Sequence, residues 1–128
     1  MDNKAMDIIV DIDGTLTKET IGWKYTERTP RKEIIDIING FYEAGHSIIL
    51  HTSRRAIDRR DTEWWLKKHG IKYTELILEK IIYDLWIDDR CISPEQLLER
   101  MTDVQFSSKI GCPVQGIRKD DNNASKKM

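Results

Sequence analysis

Two aspartates, Asp11 and Asp13, stand two residues apart directly after the apolar run of residues 8–10. A short apolar run that ends at a glycine such as Gly14 is typical of a buried strand, and residues two apart on a strand point to the same side. Clustered carboxylates repel each other unless a cation or a proton is shared between them. The pair therefore predicts a divalent-metal site that also does chemistry.

Polar side chains also follow three later apolar runs of the sequence. They are Thr52, Lys80 and the adjacent pair Asp88 and Asp89. The carboxyl ends of parallel strands meet at one edge of a sheet, and ligands of such folds bind at that edge. Segments that converge in this way predict a functional site more strongly than any one of them alone.

Strands and helices must alternate along the chain to bring these residues together. Strands are predicted at residues 6–11, 47–51, 73–78 and 83–87, and helices at residues 30–44, 58–69 and 94–101. We expect Thr29 to cap the first helix with Pro30 at its first position, and Ser93 with Gln96 to form a capping box for the last. The alternation predicts an α/β fold, a three-layer Rossmann-like parallel sheet with helices on both faces.

The bulk properties of the chain exclude several classes of protein. Its 128 residues suffice for one domain with a core, which we expect to cover residues 1–104, with residues 105–128 as a disordered or loosely attached tail. A net charge of -1 argues against general binding of nucleic acid or membranes. No apolar run is long enough for a membrane span or a signal peptide, so we expect a cytoplasmic protein with reduced cysteines.

The stretch DIDGTLT at residues 11–17 resembles the signature of the haloacid-dehalogenase-like (HAD) superfamily, mostly Mg²⁺-dependent phosphatases that work through an aspartyl-phosphate. The later motifs follow in order, with Thr52 in IILHTSR, Lys80 before the next strand, and Asp88 in LWIDDR. The short chain and its DDRCISP segment are similar to small sugar- or capsule-biosynthesis-type phosphatases. The same region is similar, less closely, to polynucleotide 3′-phosphatase domains.

The resemblance implies a different role for each polar residue of these motifs. Asp11 would attack phosphorus and form a covalent intermediate, and Asp13 would protonate the leaving oxygen and later activate water. Thr52 and Lys80 would bind the phosphoryl oxygens. The expected reaction is hydrolysis of a phosphomonoester.

The resemblance also implies a magnesium site and contacts to the substrate. Mg²⁺ would be held by Asp11, the backbone carbonyl of Asp13, and Asp88, while Asp89 would orient a metal-bound water or the lysine. Ser53 and Arg54, directly after the second motif, are candidates for binding the substrate, because an arginine fork matches phosphate geometry.

Other interpretations of the same residues remain open. The acidic stretch could be a calcium loop, although its glycine stands fourth rather than sixth, or the phosphoacceptor of a signalling receiver. The phosphate lysine could be one of three rivals, and the arginine run at Arg54 could be a solvated helix start. Trp23 and Tyr25 could cover the pocket or simply pack. The rival lysines are Lys67, Lys68 and Lys72.

Neither residues 17–29 nor residues 52–73 can hold a separate cap domain, so the sequence predicts an open, capless site. We expect Mg²⁺-dependent hydrolysis of a small phosphorylated substrate, with a sugar phosphate or a similar metabolite as the leading class. The first alternative is a phosphatase of polynucleotide ends or nucleotides, although the net charge does not favour nucleic acid. The second is a non-catalytic phosphate-binding or regulatory module on the same fold.

Overall fold

A computed structural model describes residues 4–22 and 24–102 of the chain. Within these residues, three parallel strands form one sheet in the order β1-β2-β3, and three α-helices connect or follow them. The strands are β1 (Asp7–Val10), β2 (Ser47–His51) and β3 (Glu75–Ile77). The helices are α1 (Lys32–Glu43), α2 (Arg59–Lys68) and α3 (Pro94–Arg100). The predicted α/β class with a parallel, Rossmann-like sheet is confirmed.

One face of the sheet carries the core. Val10, Leu50 and Leu76 lie in register across the three strands and are all buried. Helix α1 contacts β2 and turns an apolar stripe inward, as its helical spacing predicts. The buried residues of this stripe are Ile34, Ile35, Ile37, Ile38 and Phe41. This packing holds the carboxyl ends of β1 and β2 side by side.

The opposite face and the outer edge of β1 are less well covered. Ile9 is 64% exposed, and β1 is an edge strand in the described part of the chain. The prediction of a fourth strand at residues 83–87 is wrong, since these residues adopt no regular structure there. Within this apolar run, the rings of Tyr83 and Trp86 contact each other, with 5.0 Å between their centroids. We refer below to residues 81–92, all of which are exposed, as the exposed segment.

The two predicted helix starts have different outcomes. The capping box of α3 is confirmed, because the Ser93 hydroxyl accepts from the Gln96 N–H at 3.1 Å and the Gln96 side chain accepts from the Ser93 N–H at 2.9 Å. The predicted start of α1 at Thr29 is wrong. Its N–H and hydroxyl donate instead to the Glu19 carboxylate at 2.8 and 2.6 Å, and Arg31 occupies the N-cap position of α1 without a capping bond from its side chain.

The end of the described chain belongs to the same core. Met101, directly after α3, is fully buried, and Leu97 packs against the core. The predicted tail at residues 105–128, Cys112 and Trp23 lie outside the described residues, whereas Cys91 is an exposed free thiol. In the described part of the chain, no helix is both long and apolar enough to cross a bilayer.

Candidate active site

A tight turn directly after β1 shapes the first motif. The Ile12 carbonyl accepts hydrogen bonds at 2.8–3.1 Å from three backbone N–H groups, those of Thr15, Leu16 and Thr17. Gly14 has φ +86°, and a Cβ added there would lie 2.8 Å from Thr20 Cγ2. Because other residues rarely adopt this backbone conformation and would also clash, the glycine is required by the turn. The turn holds Asp11 and Asp13 at the carboxyl end of β1.

Asp11 forms an ion pair with Lys80, which lies 69 residues further along the chain. The distance from Lys80 Nζ to Asp11 Oδ1 is 3.1 Å, and the two side chains are 10% and 38% exposed. The Lys80 N–H also donates to the Thr52 carbonyl at 2.9 Å. The structure therefore brings together three of the residues that the sequence selected for chemistry.

The rival lysines have other partners where the structure describes them. Lys72 pairs with Glu43, and Lys68 Nζ lies 5.0 Å from the centroid of the Trp64 ring. Glu79, directly before Lys80, is a non-glycine residue with φ +66°. Its backbone N–H donates to the Arg54 carbonyl at 2.8 Å. The strain of this backbone conformation is offset by the hydrogen bonds on either side of it.

Thr52 directly follows β2 and is almost fully buried. Its hydroxyl oxygen accepts from the Arg54 N–H at 3.1 Å, and its own N–H donates to the Ile77 carbonyl at 3.0 Å. A hydroxyl that accepts one bond keeps its proton for donation to a ligand. Ser53, the next residue, is exposed.

Asp13 is held by two arginines. Arg54 donates from Nε to Oδ2 at 2.9 Å and from Nη2 to Oδ1 at 2.7 Å, and Arg28 Nη1 donates to Oδ1 at 3.0 Å. The expectation that Arg54 clamps an anion at the mouth of the site is corrected here, because its side chain is 1% exposed and its fork is occupied by Asp13. The sequence pattern carries no signal for the role of Arg28.

Arg54 is itself supported from several sides. Its Nη1 donates to the Thr62 hydroxyl at 3.0 Å, and its guanidinium carbon lies 3.9 Å from the centroid of the Tyr25 ring. The Trp65 indole N–H donates to the Arg28 carbonyl at 2.8 Å. Tyr25 therefore packs on the buried arginine, and α2 is joined to the excursion that follows the first motif.

Asp88, the magnesium ligand predicted from the last motif, has hydrogen-bond partners of its own in this arrangement. Asp88 lies in the exposed segment, where its carboxylate accepts from the Arg90 N–H at 2.9 Å and from the Trp86 indole at 3.3 Å. These two bonds, the first above all, lower the pKa of Asp88 below its ordinary value of 3.8. The Asp13 carboxylate is held by the arginines, whereas the atom of Asp13 predicted to bind the metal is its backbone carbonyl.

A metal site of three or more ligating side chains is not found among the described residues. Asp11 is paired with a lysine, and Asp88 and Asp89 are both exposed. The predicted Mg²⁺ site, in which Asp11 and Asp88 would bind through their carboxylates and Asp13 through its backbone carbonyl, with Asp89 beside them, is thus not assembled by these side chains as they stand. The observation corrects the expected geometry of the site.

Solved structures with the same fold support this view of the architecture. A structural genomics target from Vibrio cholerae superposes with a TM-score of 0.68 at 23% identity, over 84% of this chain and 96% of that chain. A chain of the Pnkp1/Rnl/Hen1 complex gives 0.54 at 24% identity, over 77% of this chain and 36% of that one. A chain of the Pnkp1/Rnl/Hen1 RNA repair complex gives 0.52 at 18% identity, over 82% and 34%.

The chain spans about a third of the length of the two complex subunits, and all three likenesses concern the fold alone. A comparison with curated proteins gave no significant match. The family model described as "PITM 1-3, LNS2 domain" matches residues 8–119, which include every site residue described above and all the elements except the first residue of β1. The LNS2 domain that this family model describes has a HAD-like phosphatase fold. The chain belongs to this LNS2 domain family.

Proposed function

We propose that this protein hydrolyses phosphomonoesters, with Asp11 as the nucleophile. The observation that carries the proposal is the ion pair of Asp11 and Lys80 at the carboxyl edge of the sheet, 3.1 Å apart. An anionic carboxylate approaches an anionic phosphate only against strong repulsion, which a fixed positive charge beside both reduces. Lys80 supplies that charge within reach of either group.

In the first step an Asp11 oxygen forms a bond to phosphorus while the bond from phosphorus to the leaving oxygen breaks. Asp13, which must carry a proton when the substrate binds, donates it to the leaving oxygen as that oxygen departs, and the contacts from Arg28 and Arg54 then stabilise the carboxylate that forms. In the second step water attacks the aspartyl-phosphate, Asp13 takes its proton, and the carboxylate is released with inorganic phosphate. The Thr52 hydroxyl and the Lys80 ammonium bind the phosphoryl oxygens during both steps.

HAD-like phosphatases generally use Mg²⁺, which would offset negative charge on the phosphoryl group when bound. Because the described carboxylates do not form a ligand set, no step of the proposal depends on the ion. Its requirement is measured separately in the experiment below.

The test is a phosphatase assay with p-nitrophenyl phosphate. We expect the wild-type protein to hydrolyse it, Asp11→Asn to fall to background, and Asp36→Asn, a matched change on the exposed side of α1, to match wild type. EDTA followed by added Mg²⁺ shows whether the ion is needed. Equal activity of wild type and Asp11→Asn would refute the proposal. Phosphate binding without turnover would favour the regulatory module instead.

A sugar phosphate or a similar small metabolite is the leading substrate class, as the resemblance to small sugar- or capsule-biosynthesis-type phosphatases implies. A second candidate, a phosphatase of polynucleotide ends, is favoured by the aromatic pair beside the lysine. Lys80 Nζ lies 5.5 Å from the Tyr83 ring centroid and 6.0 Å from that of Trp86, and both rings are 46% exposed. Aromatic side chains of this kind stack on bases.

The two candidates separate by competition between substrates. The second predicts that an oligonucleotide with a 3′-phosphate is hydrolysed in preference to sugar phosphates, with a marked dependence on salt. Trp86→Ala should then reduce that preference by about 10-fold, because a stacked base is worth about 1–3 kcal/mol. Trp64→Ala, on the outer side of α2, serves as the matched control. No preference for the oligonucleotide would leave the small metabolite as the substrate.

A further inference from the structure

We propose that Arg54 is a positioning residue, which aims the Asp13 carboxylate for proton transfer to the leaving oxygen. The inference rests on the proposed function, in which Asp13 is the proton donor. The geometry points to it because two nitrogens of one guanidinium bind the two oxygens of one carboxylate, at 2.9 and 2.7 Å. A two-point contact of this kind fixes the plane and the rotation of the carboxylate, which a single ion pair does not.

Arg54 can fix the orientation of Asp13 because its own side chain and backbone are held by several contacts. Its Nη1 donates to the Thr62 hydroxyl, which donates in turn to the Asp58 carbonyl at 2.8 Å. Its guanidinium stacks on Tyr25, and its backbone N–H donates to the Thr52 hydroxyl. The side chain therefore has partners from α2 and from the excursion after the first motif, and the backbone of Arg54 is held by Thr52, directly after β2.

The occupied guanidinium fork separates this role from that of a substrate-binding residue, because both of its nitrogens that face the site already bind Asp13. Arg54 is 1% exposed, whereas Asp13 is 18% and Asp11 38% exposed. A phosphate that reaches Asp11 would meet Lys80, whose charge is directed at the same carboxylate. The Arg54 side chain reaches the reaction through Asp13, whereas its backbone N–H binds the Thr52 hydroxyl and is kept in side-chain variants. Arg28 holds one oxygen of the Asp13 carboxylate from a second direction at 3.0 Å.

Proton transfer requires the donor oxygen to lie about 2.6–3.2 Å from the leaving oxygen. A carboxylate that is free to rotate spends little of its time in that geometry. Esters with a poor leaving group, such as alkyl phosphates, need this proton, while 2,4-dinitrophenyl phosphate releases a stable phenolate without it. Loss of positioning should therefore depend on the leaving group, which a general loss of structure does not.

The experiment measures kcat/KM, which reports the steps up to formation of the aspartyl-phosphate, with glycerol 2-phosphate and with 2,4-dinitrophenyl phosphate. We expect Arg54→Gln to lower kcat/KM about 100-fold for the alkyl ester and less than about 3-fold for the dinitrophenyl ester. Arg54→Lys, which keeps the charge but loses the fork, should fall between wild type and Arg54→Gln on the alkyl ester.

A double-mutant cycle identifies the residue through which the arginine acts. Asp13→Asn should show the same dependence on leaving group, and adding Arg54→Gln to it should reduce kcat/KM no further. Thr62→Val leaves every charge in place and should produce a smaller loss of the same kind. Arg59→Gln, an exposed arginine paired with Glu63, should match wild type.

Equal losses on the two esters, or an added loss in the Asp13→Asn background, would overturn the proposal. Thermal melting is recorded for each variant, and if Arg54→Gln does not fold, Arg54→Lys and Thr62→Val decide by the same ratio between esters. A wild-type protein that hydrolyses neither ester overturns the proposed function together with this inference. If the wild type is active but the variants lose kcat/KM equally on the two esters, the inference alone is overturned.

Discussion

The two halves of the predicted site are built in contrasting ways. The anchored half, by which we mean Asp11, Asp13, Thr52, Arg54 and Lys80, draws its contacts from strands, loops and a helix that are far apart in sequence. The exposed segment carries Asp88 and Asp89, and the hydrogen bonds described for Asp88 reach only residues 86–91. Both halves carry aspartates after apolar runs, yet only one is built into the fold.

The difference shows that an apolar run followed by acidic residues does not by itself place those residues in a site. In the anchored half, Val10 and Leu50 lie in register on the covered face of the sheet, and their burial carries the polar residues that follow to the same edge. The run at residues 83–87 has no such partner in the described structure. Its side chains stay exposed, and the carboxylates after it stay with them.

The largest effect is expected from removing the carboxylate that the arginines share. Asp13→Ala would leave Arg28 and Arg54 buried without this counter-charge, and breaking a buried pair in this way costs about 3–5 kcal/mol. Asp88→Ala, the matched change in the exposed segment, should leave the free energy of unfolding nearly unchanged. Urea denaturation of both variants measures the contrast, and similar losses would remove it.

Hydrogen exchange tests the same contrast without any substitution. Amides of the exposed segment should exchange at least about 100-fold faster than those of Ile48 and Leu50, because segments with few buried contacts open at little cost. Mass spectrometry of peptides after deuterium labelling measures the two rates. Strong protection at residues 83–87 would mean that the segment pairs with the sheet in solution, in which case the predicted fourth strand exists there.

A smaller effect is expected from the two adjacent tryptophans of α2. Trp65→Phe removes the indole N–H that donates to the Arg28 carbonyl and should cost about 1–3 kcal/mol, because a buried acceptor loses its partner. Trp64→Phe should cost less than about 0.5 kcal/mol, since that ring is half exposed. Equal thermal melting of the two variants would show that the link between α2 and the excursion contributes little.

The smallest effect concerns pH. Hydrogen bonds from the Thr29 hydroxyl and N–H lower the pKa of Glu19 below its ordinary value of 4.5. The stabilisation is therefore fully present above pH 4.5 and is lost as the pH falls through the lower pKa of the folded state. Glu19→Gln should thus lose less stability than wild type between about pH 5 and pH 3. Parallel acid titrations followed by circular dichroism would show no difference if this contact is absent.

The features that were predicted correctly depend on neighbours in the sequence. The capping box of Ser93 and Gln96 spans three residues, and the turn around Gly14 follows from a glycine within the first motif. Alternation of apolar runs was enough to predict a parallel sheet. Such patterns report what a short stretch of chain favours, whatever packs against it.

The errors arose where a distant partner decides the outcome. Thr29 and Pro30 have the composition of a helix start, but Glu19 binds the first and Thr17 pairs with the second. Arg54 stands in a run of arginines that looks solvated, and its burial depends on Asp13, 41 residues away. No local pattern contains that information, because the cost of burying a charge is offset only by the charge it meets.

The ion pair of Asp11 and Lys80 has a consequence for the order of events during folding. It closes a separation of 69 residues, and both strands β2 and β3 must be added to β1 before the lysine reaches the carboxylate. Contacts of such long range form late in folding, because closing the chain lowers its conformational entropy before the contact contributes any stabilisation. Catalytic competence would therefore appear only on completed molecules, so that the rate at which activity returns after denaturant is diluted marks the final stage of assembly.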